Sequence, residues 1–593
     1  MKQKIILILR RVLNFIREYG VLCFMQYLLY AMFRVKKEEY YWLRKKRRRQ
    51  QKVEFQIRPT FSILIPLYST QQKKAEKLIQ SIQQQTYQNW EICLSYGDGL
   101  RKNEKSFLTK SMKKDPRIKV ITSEIPLSVT ENTNQALKAV SGEFISLVEM
   151  DGLLDIDAFY ECVKIINQYP KLEFLYTDED RFCASRKQYF HPHFKPDYNL
   201  DLLRSMNYIG HFFLVKRGVQ EKVGEFCEEL YFEYEYDFIL RCVEQSENIY
   251  HIPKVLYHKR VKEINGEGTA IRNERIADEK ARAVRMHLER CNIKGSVYMQ
   301  DNLGICKVNY LLEEEPFISV IIPNKDHVDD LERCINSLYE VSRYSNFEVI
   351  IVENGSNEKK TFIYYKSLKE RYSNIKIVNW KEGKEFNYSA LNNFGVSYAK
   401  GEYLLFLNND TRIINKDCML EMVSHVVRKE VGAVGARLYY PDGTIQHAGV
   451  ILGLGGIAGH AFCGESHNAK GYFSRIQCTQ DLSAVTAACM MVSKMLFEEV
   501  GGFDEKLKVA FNDIDLCMKI RMKGRLIVYT PYAELYHYES KSRGIEDTNE
   551  KIERFHGEVH YFEKKWKEEL EKGDPYYNPN LTLEKNNFSL RIV

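Results

Sequence analysis

The feature that most constrains this chain is that it repeats itself. "FSILIPLYST" (Phe61–Thr70) and "FISVIIPNKD" (Phe317–Asp326) are both apolar runs ending in Ile-Pro and a polar turn. Each is followed by a helix-like stretch with a Ser-Ile or Ser-Leu pair, "LIQSIQQQTYQNW" and "CINSLYEVSRYSNF". Each then enters a second apolar run, "EICLSYGDG" and "EVIIVENGS". Further along come "GEFISLVEMDG" and "GEYLLFLNNDT", then "YEYDFILRCVE" and "FNDIDLCMKIR", then "IPKVLYHKR" and "TPYAELYHYES". Six matched segments in one order imply two copies of one domain, offset by roughly 255–280 residues. Strands alternating with helical stretches predict an α/β fold with a mainly parallel, Rossmann-like sheet in each copy. In such sheets ligands bind beyond the carboxyl ends of the strands, where every polar cluster quoted above falls.

A length of 593 residues agrees with two cores plus extensions, because single cores stop growing near ~250–300 residues. We assign 1–58 to an extension, 59–262 to the first domain and 263–315 to a linker. The second domain then takes 316–545, and a helical and irregular tail takes 546–593. In the linker, "NERIADEKARAVRMHLERCNI" has no Gly or Pro and predicts a helix. "GSVYMQDNLGICKVNYLLEEEP" then predicts short strands leading into the second copy.

Charge separates the extension from the body. Residues 1–58 hold sixteen Lys/Arg against four Glu, a net +12 in a chain whose total is +7, which leaves −5 for the rest. The basic character is not in the folded units, so nucleic-acid binding is not indicated. Ile5, Leu9, Val12 and Ile16 recur at helical spacing among Arg10, Arg11 and Arg17. "VLCFMQYLLYAMF" has thirteen residues where a membrane span needs ~20. An amphipathic, apolar, then basic series predicts a segment lying on an anionic membrane surface. The alternative is a helical hairpin packed on the body with a solvated basic tail. Fourteen cysteines with no C-x-x-C argue against a disulfide framework or zinc site and fit reduced thiols.

In the second copy, "LLFLNNDTRI" ends a strand on Asn408, Asn409 and Asp410. By itself this is good turn and capping chemistry. It is also an oxygen-rich turn of the kind Mg²⁺ or Mn²⁺ takes when a substrate diphosphate completes the shell. In "FNDIDLCMKIR", Asp513 and Asp515 fall in the first turn of a helix beginning near Asn512, where carboxylates are favoured. Capping accounts for Asp515, and Asp513 at the strand ends is a candidate general base. His537 follows a strand and offers an imidazole to a cation or phosphate.

These segments resemble the inverting family-two glycosyltransferases with the GT-A fold, from about Phe61 to Leu581. The likeness is greatest to the tandem enzymes of bacterial O-antigen, rhamnan and other cell-surface polysaccharide assembly. It is carried by "FNYSALNNFGVSYAKGEYLLFLNNDT", "YYPDGTIQHAGVILGLGGIAGHAF", "AVTAACMMVSK", "GGFDEKLKVAFNDIDLC" and "DPYYNPNL". The resemblance implies that Asp410 holds the cation, with Asn408 as an amide at the first position of the D-x-D-type motif. It places Glu353 at the nucleobase and Pro323, Asn387 and Asn392 along the nucleotide pocket. Asp513 becomes the base, after Asn512 where the family has Glu, and His537 a ligand near the diphosphate. In the first copy it implies Pro66 for the nucleotide, Glu149, Asp151 and His258 for the cation, and Glu235 for the base. Tyr96 and Gly97 stand there where the family has acids. The first copy is therefore either a second active site or a degenerate domain that positions acceptor or partner.

The expected activity is transfer from a nucleotide-diphosphate sugar, dTDP-rhamnose or a UDP-sugar, to a hydroxyl of a lipid-linked glycan. The expected place is the inner face of the bacterial plasma membrane. The competing reading is a non-catalytic or half-catalytic scaffold of a polysaccharide assembly complex. A nucleotidyltransferase lacks support, because no Gly-rich, Lys-bearing loop follows the first strand.

Overall fold

Runs such as Phe347–Glu353 ("FEVIIVE") are apolar, β-branched and buried along their whole length, as strands covered on both faces must be. They build two sheets in a computed structural model that describes residues 54–67, 72–97, 111, 114–185, 188–261, 270–300, 304–380, 386–538 and 548–591. The membrane-lying segment expected in the basic extension falls in residues 1–53, outside the described residues.

The first sheet runs Ile118–Thr122, Trp90–Tyr96, Phe61–Pro66, Phe144–Leu147, Phe213–Lys216, Phe174–Cys183, Ile249–Val261, Gly152–Leu154. The second runs Ile375–Asn379, Phe347–Glu353, Ile318–Asn324, Tyr403–Leu407, Cys489–Ser493, Val431–Tyr439, Leu526–His537, Thr411–Ile413. The two orders correspond strand for strand. In both, the first four strands are parallel. The fifth is antiparallel to both neighbours. The sixth and seventh pair in parallel. A three-residue edge strand closes the path antiparallel to the seventh. The chain is thus an α/β protein with two GT-A units, and the repeat seen in sequence is a repeat of topology.

Helices cover both faces. Tyr388–Val396 lies on the strands Ile318–Asn324 and Phe347–Glu353. It comes close because Gly395 has no side chain: a Cβ there would meet Ile321 Cγ2 at 2.6 Å and Val352 Cγ2 at 2.8 Å. Between the units, the expected helix spans Ala270–Arg290 and packs on Tyr234–Glu244 of the first unit. An antiparallel hairpin, Gly295–Gln300 with Ile305–Tyr310, follows it.

The two units are held in fixed relation by buried polar contacts. The two terminal guanidinium nitrogens of Arg428 bond the carboxylate of Asp201 at 2.7 Å, with both side chains almost fully buried. Asn199 Nδ2 donates to Asp481 O at 2.8 Å, and Asp481 N donates back to Asn199 Oδ1 at 2.9 Å. The tail crosses both units. Asp574 accepts from Leu452 N and Ser483 Oγ in the second, while Asn578 donates to Asp178 and to Lys195 O in the first. Among the described residues the cysteines are free thiols and no helix is long and apolar enough to cross a membrane.

Candidate functional site

At the carboxyl edge of the second sheet lies an open cavity of about 1200 Å³. Pro323, Asn408, Asp410, Asp513 and His537 all line it, although Pro323 and His537 are 214 residues apart in sequence. The strand Tyr403–Leu407 delivers the Asn408–Asp410 turn, and the edge strand Thr411–Ile413 immediately reverses. Thr411 pairs in register with His537, and Tyr538 N donates to Asp410 O at 2.9 Å. These backbone bonds bring the imidazole to the acid: His537 Nε2 lies 3.1 Å from Asp410 Oδ1 and 3.2 Å from Asn408 Nδ2.

Gln446 Oε1 sits 2.7 Å from His537 Nδ1 and can only accept. That contact orients the ring, and Nε2 faces Asn408, Asp410 and the cavity. A histidine oriented through its second nitrogen is the usual arrangement of a metal ligand. Burial pushes the Asp410 carboxyl up, but contact with His537 more than offsets this and the group lies below the ordinary carboxylate range. Its Oδ1 is buried against His537 Nε2. A buried carboxylate oxygen and an imidazole nitrogen side by side at an oxygen-rich turn fit a divalent cation.

Asp513 enters from the helix Asn512–Met522, whose preceding residue, Phe511, has φ +62°. A bulky residue in that region is strained and must be held by its surroundings. The holding comes from the tail helix Asn549–Lys565. Phe511 packs against Phe555 and Phe562, and the buried Glu558 carboxylate accepts from Val509 N at 2.9 Å and Ala510 N at 3.1 Å. Asp513 Oδ2 accepts from Ala487 N at 3.2 Å, while the neighbouring Ala488 O accepts from Asn408 N at 3.0 Å. One short segment thus links the candidate base to the candidate cation turn. Asp515 has a different task, buried beneath Trp566 Nε1 at 2.8 Å and Lys565 at 2.7 Å.

Three residues expected at the nucleotide do not line the cavity. Glu353 is buried and accepts from Ser356 Oγ at 2.8 Å and Tyr365 OH at 2.5 Å, while Asn354 beside it faces the cavity. Asn387 caps the helix Tyr388–Val396 by accepting from Ala390 N at 3.0 Å. Asn392 is fully buried and donates to Tyr388 O at 2.9 Å. Sequence reasoning passed over Gln446, His460, Lys551 and Arg554, which also line the cavity. "TIQHAG" carried the first of these in plain view, but its partner His537 is ninety-one residues away.

The first unit brings Glu149, Asp151 and Glu235 toward the equivalent sheet edge. Burial, then the charge of Glu149, pushes the Glu235 carboxyl well up, and burial likewise raises Asp151. Pro66 is buried at the end of its strand, paired with Ser95. His258 does not face the acids at the cation position. Its Nδ1 lies 2.5 Å from Asp180, and in register it stands opposite Leu153. Lys259 stands opposite Gly152, the residue after Asp151, as His537 stands opposite Thr411 after Asp410. Arg260 N donates to Asp151 O at 2.8 Å, the counterpart of the Tyr538–Asp410 bond. Successive side chains on a strand point to opposite faces, so the one-residue difference turns His258 away. Counting from the shared proline would have found this: Lys259 follows Pro253 by six residues, as His537 follows Pro531.

Among the described residues one further trio, Glu244, His287 and Cys291, has metal-ligand spacing. Arg290 bonds Glu244 at 2.8 Å and Arg204 bonds His287 Nε2 at 3.1 Å, so guanidinium groups already fill the place of a cation.

Two GT-A units, one with an acid, an imidazole and a second carboxylate at a single strand-end cavity, have the architecture of a glycosyltransferase. Its sequence matches Glycosyl transferase family 2 twice, over residues 62–224 and 319–501, and the chain belongs to that family. It is 39% identical over 543 residues to the uncharacterized protein y4gI of Sinorhizobium fredii, covering 90% of this chain and 58% of that protein. It is 34% identical over 541 residues to the O-antigen biosynthesis protein RfbC of Myxococcus xanthus, covering 90% of this chain and 41% of that protein. The chain thus spans about half the length of these relatives. An N-acetylglucosaminyl-diphospho-decaprenol L-rhamnosyltransferase of Mycobacterium tuberculosis is 24% identical over 232 residues, covering 36% of this chain and 73% of that protein.

Proposed function

We propose that the second unit transfers a sugar, with inversion, from a nucleoside-diphosphate sugar to a hydroxyl of a growing cell-surface polysaccharide. The observation that carries this reading is the convergence of Asp410, His537 and Asp513 on one cavity. Asp410 Oδ1 and His537 Nε2, with Asn408 beside them, would hold Mg²⁺ or Mn²⁺. When bound, such a cation supplies positive charge against the departing diphosphate. Asp513, fixed by Ala487 N, takes the proton of the acceptor hydroxyl, and that oxygen then attacks the anomeric carbon opposite the leaving group. The strand-end edge near Pro323 and Asn354 receives the nucleotide.

The relatives support the substrate class. RfbC is an O-antigen biosynthesis protein, and the Mycobacterium relative is a rhamnosyltransferase named for a diphospho-decaprenol. We therefore put dTDP-rhamnose first as donor, UDP-sugars second, and a lipid-linked glycan as acceptor. The basic extension would keep the chain on the anionic inner face of the membrane where that acceptor resides. The test is turnover of a panel of nucleotide sugars by the full chain. Asp410→Ala and Asp513→Asn are expected to lower kcat by roughly 10²–10⁴, the range of a lost general base or comparable group. Parent-like turnover in both variants would overturn the assignment.

A further inference from the structure

The first unit has the topology and two of the carboxylates of the second, yet its cation position is already filled by the chain itself. Lys259 occupies the place of His537, as the register and the backbone bond to Asp151 O establish. Its ammonium lies 3.3 Å from Glu149 Oε2, the acid at the Asn408 position. It also donates to His211 Nε2 at 2.6 Å. His211 Nδ1 in turn faces Glu179 at 3.2 Å, and Glu179 pairs with the fully buried Lys195 at 3.1 Å. The ammonium is thus anchored in a continuous chain rather than left on a free stem.

We infer that the first unit takes no divalent cation at this edge: Lys259 serves as a tethered counter-ion for the Glu149–Asp151–Glu235 cluster, and of the two equivalent strand-end sites only that of the second unit holds a metal. An ammonium already bonded to a carboxylate competes with a metal ion for its oxygens, and a charged lysine has no lone pair to offer as a ligand in place of the imidazole. Glu149 and Asp151 therefore do not fit the expected cation pair while Lys259 is present. The surrounding charges agree with this. Glu149, Asp151, Glu179 and Glu235 are the acids whose charges act on the Lys259 ammonium. Without a cation to neutralise a diphosphate, an acid-rich edge repels a nucleotide sugar. This half of the chain is then a positioning or acceptor-side domain, in keeping with Tyr96 and Gly97 where the family has acids.

The inference rests on the second site as the cation site, and its test is arranged to separate the two. Mn²⁺ alone is titrated into the full chain and counted by EPR in an Asp410→Ala background, with the fold checked by circular dichroism. No bound equivalent is expected in that background, and one is expected to be gained on adding Lys259→Gln. Lys259→His, which restores the imidazole of the second unit, is expected to gain it too. An equivalent in Asp410→Ala that Glu149→Gln abolishes would overturn the inference. So would a failure of both folded Lys259 variants to gain one. If the second-site reading alone were wrong, the parent and Asp410→Ala would bind alike at a site indifferent to Glu149→Gln, and the gain on changing Lys259 would remain.

Discussion

Glu558 lies in the tail helix, yet it fixes the segment that leads to Asp513, the proposed base. Its carboxylate is 3% exposed and accepts from the backbone N–H groups of Val509 and Ala510. The strained Phe511 and then Asp513 follow directly. Hydrogen bonds to a charged group contribute about 1.5–3 kcal/mol each. Glu558→Gln keeps one accepting oxygen and loses the other, so local opening should become easier by roughly that amount. At about 1.4 kcal/mol per tenfold, amide exchange at Val509 and Ala510 should quicken by roughly tenfold to 150-fold. Glu558→Ala removes both bonds and should exceed this. A base displaced by a fraction of an ångström costs rate rather than donor affinity, so kcat should fall about tenfold or more with donor KM little changed. Hydrogen exchange on peptides spanning 503–514, run beside steady-state kinetics, reads both effects. Unchanged exchange at these two amides in Glu558→Ala would refute the reasoning, and so would unchanged kcat with altered exchange.

Other perturbations test the frame that carries the site. Arg428→Ala strips the buried Asp201 carboxylate of its bidentate partner, leaving Arg204 at 3.7 Å, and should destabilise the junction by up to about 3–5 kcal/mol, seen as a lower urea midpoint. Gly435→Ala would place a Cβ 2.4 Å from Val485 Cβ in the second sheet and should cost about 1–3 kcal/mol, read as a lower Tm. Burial raises the Glu233 carboxyl from 4.5 to about 7, so it folds protonated. Its contribution is complete below the ordinary value of 4.5 and fades as pH rises through about 7; Glu233→Gln should flatten that stretch of the Tm–pH curve.

The sequence by itself determined the duplication, because matched apolar runs ending in polar turns have to recur as matched strands. It also determined which residues sit at strand ends, since a run such as "YLLFLNND" passes from buried to polar at one point. Asp410 and His537 were legible for that reason, and Asp513 from the acidic first turn of its helix. What the sequence left open was direction and company. A side chain's face depends on register, and one residue of offset separates Lys259, which meets Glu149, from His258, which meets Asp180. Asn387 and Asn392 are amides of the type a nucleotide pocket uses, and the tertiary structure gives them to a helix cap and a helix interior. Gln446 acquires its role only through His537, and Glu558 only because the tail helix folds back over Val509 and Ala510. Local pattern is fixed by neighbours a few residues apart. Convergence depends on long-range packing, which only the folded chain decides.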